Sequence, residues 1–162
     1  MPEESAPITG TTGNDNIAGD GAPHVLEGLQ GNDVLGGGGG NDTIHDGAGD
    51  DAMNGAAAPN LLDGGAGIDT ASCGSSPIGI MASLAAPSGN NGIAAGETYV
   101  QAENLLGSCH NDTLVGDNTD NRLTGAAGED VLSGGGGLDQ LADLRLRRRR
   151  PGVGVLPAGW CG

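Results

Sequence analysis

Eight aspartates, Asp15, Asp33, Asp42, Asp51, Asp69, Asp112, Asp130 and Asp139, fall on two stretches of a nine-residue ruler whose remaining marks are His24, Asn60 and Asn121. Carboxylates are hard oxygen ligands, and together with turn carbonyls they make the six- to eight-fold set that Ca²⁺ takes; Zn²⁺ or Cu²⁺ would ask for Cys or His. His24, His45 and His110 stand at three different positions of the nine-residue line, which argues against a shared zinc site. Ca²⁺ is the expected ion.

The elements that must position these carboxylates follow from the lines themselves. Residues 28–72 read GLQGNDVLG, GGGGNDTIH, DGAGDDAMN, GAAAPNLLD and GGAGIDTAS, and the same phase extends back to Gly10 and resumes at Gly107, giving eleven lines. The first position is Gly in ten of them and Asp46 in the other, the fourth is Gly in seven, the sixth Asp in eight, and the eighth apolar in all eleven. Two recurrent glycines mark places where positive φ or close approach of another segment is wanted. The short segment after each turn places one apolar residue between polar neighbours, the period-two signature of a half-buried strand. Turn and strand alternate, so strands feeding two facing sheets return to the same edge every eighteen residues. Stacked at strand spacing, these coils predict an all-β fold, a parallel β-roll.

The template G-G-x-G-x-D-x-U-x, with U apolar, resembles the calcium-binding repeat of the RTX (repeats-in-toxin, haemolysin-type) family. The ligands expected on that resemblance are the eight aspartates and the backbone of Gly28, Gly31, Gly37, Gly40, Gly49, Gly64, Gly67, Gly125, Gly128, Gly134 and Gly137. RTX proteins usually leave the cell through a type I exporter that reads an uncleaved C-terminal segment. The resemblance therefore implies an extracellular protein with export machinery as a partner. Met1 to Thr9 has neither the basic nor the apolar region of a secretory signal peptide.

Stacking turns the sixth positions into columns. Carboxylates about 4.8 Å apart repel by roughly 1 kcal/mol in bulk water and by several at an effective dielectric near 20, so a column needs a cation. Four junctions have Asp on both sides (15/33, 33/51, 51/69, 112/130) and three on one side only (24/42, 42/60, 121/139). A calcium-rich and a calcium-poor edge are expected. The lines of His24 and Asn60 also carry Ala22 and Ala58 in place of the fourth-position Gly.

Composition points the same way. The chain of 162 residues has room for one domain, lacks Phe, and holds a single Tyr and a single Trp, so its core must be a thin layer of aliphatic side chains. Residues 1–144 carry all 21 acids and one Arg, a net of −20, and five Arg crowd 145–150. Many glycines, a thin core and self-repulsion favour the disordered chain without calcium; with it, binding energy becomes folding energy.

The expected organisation is a flexible N-terminus at 1–9, a first roll block at 10–72, an insertion at 73–106, a second block at 107–142 and an atypical basic tail at 143–162. The insertion is similar to one common in RTX proteins, which implies two longer strands laid along the roll, around Gly79 to Leu84 and around Glu103 and Asn104, with Pro87 to Gly96 as a mobile loop. Cys73, Cys109 and Cys161 lack metal or redox spacing. Free thiols and a Cys73–Cys109 clamp are both open readings.

No HExxH, GxSxG or P-loop is present, and the chain has no lysine for the last. The pairs Asp50/Asp51 and Glu129/Asp130 are already explained by their phase in the repeat. The expectation is a non-enzymatic calcium-binding module of a secreted protein, with no nucleic-acid partner and no membrane span. The alternative is an accessory or substrate-binding part of a secreted protease, lipase or alginate epimerase, or part of a surface adhesin. No protein or polysaccharide partner is specified by the sequence.

Overall fold

The structure is a computed structural model and describes residues 6–143. Fifteen short strands are present among the described residues. In the first block they are β1 (Ile8–Thr9), β2 (Asn16–Ala18), β3 (Val25–Gln30), β4 (Val34–Gly36), β5 (Thr43–Ala48), β6 (Ala52–Asn54), β7 (Leu61–Ala66) and β8 (Thr70–Ser72). The segment 73–106 adds β9 (Met81–Ser83), β10 (Thr98–Val100) and β11 (Asn104–Leu106). The second block adds β12 (Thr113–Val115), β13 (Arg122–Ala126), β14 (Val131–Ser133) and β15 (Gln140–Asp143).

Alternate lines feed alternate sheets. One sheet runs β1-β3-β5-β7-β10, a second β15-β13-β11-β8-β6-β4-β2, and a third β14-β12-β9. Every pairing is parallel, and within the blocks the register step is eighteen residues: Leu26 faces Ile44, which faces Leu62, while Ile17 faces Leu35, which faces Met53. The expected parallel β-roll is the observed fold. The core is a file of eighth-position side chains from eight of the eleven lines, Leu26, Leu35, Ile44, Met53, Leu62, Ala71, Leu114 and Leu123, each fully buried. Leu105 of β11 continues the file at 1% exposure, so the segment between the blocks shares the same core.

That segment departs from expectation. In place of two longer strands laid along the roll, it supplies three strands of three residues each, and all three are rungs. Tyr99 pairs opposite Leu62, Leu105 opposite Ala71, and Ala82 opposite Leu114. A rung in register satisfies the backbone groups of β7 and β8 and covers Leu62 and Ala71 at once, which a strand laid across the roll would not do. The stretch expected to be a mobile loop holds two short 3₁₀ turns, Pro87–Gly89 and Gly92–Ala94. Between them the Asn91 and Asn90 side-chain oxygens accept hydrogen bonds from the backbone N–H groups of Met81 (2.7 Å) and Ser83 (2.8 Å). Two asparagines thus stand in for a neighbouring strand along the free edge of β9.

At the start of the roll, Ile8 and Thr9 pair with Leu26 and Glu27, so these two residues of the segment expected to be flexible belong to the sheet. The basic run at 145–150 lies outside the described residues. Cys73 is a buried free thiol, so no Cys73–Cys109 bridge clamps the segment.

Candidate metal centre

Apart from Asp15, whose Oδ2 accepts the Thr11 N–H of its own line at 2.6 Å, the sixth-position carboxylates are held by the backbone of the coil before them. The Oδ1 atoms of Asp33, Asp51 and Asp69 accept the N–H of Asp15, Asp33 and Asp51 at 2.8, 2.7 and 3.0 Å. On the other edge Asp42 accepts from His24 at 2.9 Å, and the Asn60 side chain accepts from Asp42 at 2.8 Å. In the second block Asp130 accepts from Asp112 and Asp139 from Asn121, both at 3.0 Å. All seven junctions expected from the ruler are therefore neighbours in space. Asp15 and Asp139, at the ends of their columns among the described residues, are half-buried, whereas Asp33, Asp42, Asp51, Asp69, Asp112 and Asp130 are buried.

With Oδ1 committed, Oδ2 of Asp33, Asp42, Asp51 and Asp69 is buried with no hydrogen-bond partner. An ionised oxygen left so costs several kcal/mol unless a cation meets it.

The glycines explain how room is made. A Cβ at Gly10, Gly28, Gly64 or Gly107 would come within 2.5–2.8 Å of the Oδ2 atom of Asp15, Asp33, Asp69 or Asp112 in the same line. At Gly10 and Gly107 it would also meet the carbonyl oxygen of the next coil's first residue, at 2.8 and 3.1 Å. Gly37, Gly125 and Gly134 sit against Asp42, Asp130 and Asp139 in the same way. The first-position glycine thus keeps open a cradle bounded by carboxylate and carbonyl oxygens, a donor set that suits Ca²⁺. The fourth-position glycines Gly31, Gly40, Gly49, Gly67, Gly128 and Gly137 serve the turn instead, with φ between 98° and 152°.

Two further acids join the columns, and the ruler alone does not find them. Glu103 extends the first column: its Oε2 accepts the N–H of Asp69 at 2.9 Å. Glu97 extends the second; it is buried, interacts with the Asn60 side chain, and accepts the Tyr99 hydroxyl at 2.8 Å. Both lie two residues before an inward side chain, Leu105 or Tyr99, as each repeat Asp lies two before its apolar residue. That local spacing survives where the nine-residue phase is lost. Asp46, the one acid at a first position, is fully buried with both carboxylate oxygens unpartnered, and it gathers with Asp33 and Asp51 so that one oxygen of each lies within 4.8 Å of the others.

In the absence of a cation these groups hold protons tightly. Burial, with the charges of Asp51, Asp33 and Asp69 adding to it, pushes Asp46 up to about 8. Burial pushes Asp69 up to about 6 against the opposing hydrogen bond from the Asp51 N–H, and Glu97 up to about 7 against those with Tyr99 and Asn60. Asp42 and Asp51 are raised as well, chiefly by burial.

His24 occupies an aspartate slot, its Nδ1 3.5 Å from Asp42 Oδ1 and its Nε2 3.5 Å from Asp20 Oδ1. It puts an imidazole ring where the other edge has a carboxylate.

The family described as RTX calcium-binding nonapeptide repeat (4 copies) matches residues 27–60, 36–71 and 110–141. These are RTX calcium-binding repeats. The matches take in Asp33, Asp42, Asp51, Asp69, Asp112, Asp130 and Asp139, while Asp15 precedes the first and Glu97 and Glu103 fall between the blocks. No curated protein matches the chain. RTX repeats imply Ca²⁺ as the bound ion, and the unpartnered Oδ2 atoms fit it. The RTX roll is a structural calcium-binding fold, typically non-catalytic and typically found in secreted proteins. No helix among the described residues is long and apolar enough to cross a membrane.

Proposed function

We propose that Asp15, Asp33, Asp42, Asp51, Asp69, Asp112, Asp130 and Asp139, with backbone oxygens of the turn glycines, bind Ca²⁺ between successive coils, and that this binding folds and stabilises a secreted protein outside the cell. The observation that carries the reading is the set of buried, unpartnered Oδ2 atoms, stacked in columns at every second line. Bound calcium supplies the positive charge that lets these carboxylates stay ionised inside the roll. The N–H of the preceding coil orients the carboxylates of Asp33, Asp42, Asp51, Asp69, Asp130 and Asp139 through Oδ1, the first-position glycine leaves room beside Oδ2 of Asp33, Asp42 and Asp69, and the buried eighth-position file brings successive coils into register. Carboxylates that repel one another in the extended chain are thereby made the means of holding it folded.

Extracellular calcium modules bind at about 10⁻⁴ to 10⁻³ M, so such a roll would stay unfolded in a cytosol and fold on arrival outside. An exporter that handles unfolded chains is a partner consistent with that order of events. No catalytic role is assigned to the roll. The test is far-ultraviolet circular dichroism of the purified chain during a calcium titration from chelator to about 10 mM, with magnesium as control. A calcium-specific coil-to-β transition is expected. A chain fully folded in chelator at neutral pH, or disordered at the highest calcium, would refute the proposal.

A further inference from the structure

Asp46 breaks the repeat at the position where the repeat is strictest, since the other ten lines have Gly there. A side chain at a first position enters the cradle that glycine elsewhere leaves open. It is fully buried, and neither oxygen has a hydrogen-bond partner. Its direction is fixed by the coil before it: a Cβ built on Gly28 would lie 2.5 Å from Asp33 Oδ2 and 3.0 Å from Asp46 Oδ1, so the two carboxylates border the same small space. Asp51 Oδ2, in the same line as Asp46, is likewise unpartnered. Three carboxylate oxygens therefore face one another within 4.8 Å, with no cationic side chain among them.

A defect would have been easy to avoid. The carboxylate could have pointed to solvent, or paired with a backbone N–H as the Oδ1 atoms of its neighbours do; it does neither. Affinity at calcium sites is tuned over several decades by the number of charged ligands and by the rigidity of the site. The ordinary Asp–Asp junctions offer two carboxylates, whereas this one offers three, two of them already oriented by backbone N–H groups at 2.8 and 2.7 Å.

We propose that Asp33, Asp46 and Asp51 form a three-carboxylate cation site, set apart from the other junctions by the non-repeat ligand Asp46, which fills first as cation concentration rises and favours trivalent over divalent ions. The proposal rests on the calcium-binding reading of the repeats. Its place in the middle of the first block means that the first cation bound fastens the coils carrying β4 and β6, from which the remaining junctions extend in both directions.

The experiment is a terbium and calcium titration of the full chain and of Asp46→Gly and Asp46→Asn, read by terbium luminescence and by calorimetric stoichiometry. Asp46→Gly restores the residue of the other lines, and Asp46→Asn keeps the shape without the charge. Expected for both is loss of the tightest step, with its affinity lowered about tenfold or more and the terbium-over-calcium preference reduced, while the weaker steps persist. If instead both variants keep that step, or fold at lower calcium than the parent, Asp46 is a buried misfit and the proposal is overturned. A parent chain that binds no calcium at all would sink the repeat reading itself, which is a different result from unchanged binding in the variants.

Discussion

Lowering the pH in chelator is expected to fold this chain, the reverse of ordinary acid denaturation. A carboxyl whose folded pKa is raised above its unfolded value binds its proton more tightly in the folded state. Its stabilising effect is then complete below the unfolded pKa and lost as pH rises through the folded one. Asp46 rises from 3.8 to about 8, Glu97 from 4.5 to about 7 and Asp69 from 3.8 to about 6, so the window is pH 4 to 8. At 1.36 kcal/mol per pH unit, going from pH 8 to pH 5 favours the calcium-free roll by about 4 kcal/mol through Asp46, about 3 through Glu97 and about 1 through Asp69. Asp46 and Asp69 repel each other, so the three do not add in full. Even half the total is comparable with the whole stability of a small domain. Circular dichroism in chelator at pH 8, 7, 6 and 5 should show β signal appearing as pH falls. In saturating calcium the trend should invert, because protons then compete with the bound ion. A chelated chain with no more β structure at pH 5 than at pH 8 would refute the account of these carboxyls as buried and coupled.

Three substitutions test other parts of the scheme. Leu62→Ala, in the fully buried file, should cost about 2–5 kcal/mol in denaturant unfolding of the calcium-loaded chain. Gly49→Ala should abolish or severely weaken the calcium transition, because φ is 152° there and a Cβ would collide with the Gly31 carbonyl oxygen; Gly21→Ala, with nothing within 4 Å, should leave the titration unchanged. Removing the edge caps by Asn90→Ala with Asn91→Ala should destabilise β9 by about 1–3 kcal/mol per lost acceptor and raise hydrogen exchange at Met81 and Ser83 specifically.

The two blocks were legible in the sequence because a strict period fixes register, columns and core together. Leu35 must be inward if Ile17 and Met53 are, and Asp33 must neighbour Asp15 and Asp51. What the period could not carry was the segment between the blocks. Its rungs are recognisable only by the short spacing Glu97 to Tyr99 and Glu103 to Leu105, and its return path depends on Asn90 and Asn91 acting as edge acceptors, a tertiary arrangement with no local signal. Asp46 was visible as an exception, but its significance needed burial and the count of unpartnered oxygens, neither of which a one-letter deviation reveals. The first-position glycines were expected to serve backbone freedom or close approach. The structure separates the two purposes, giving room for a carboxylate at the first position and positive φ at the fourth.

The eighteen-residue step has a consequence for how such a chain can change length. One nine-residue line inserted within a block would move every later aspartate to the opposite sheet, so that the columns of His24 and Asp33 would trade downstream members. A full coil of eighteen adds one rung to each sheet and leaves all partners as they were. The segment between the blocks obeys this bookkeeping without keeping the period: Ala71 to Leu105 is a step of 34 residues, yet it delivers Glu103 under Asp69 on the same edge. Growth of the roll is thus quantised in whole coils, and the irregular segment is a splice that conserves parity.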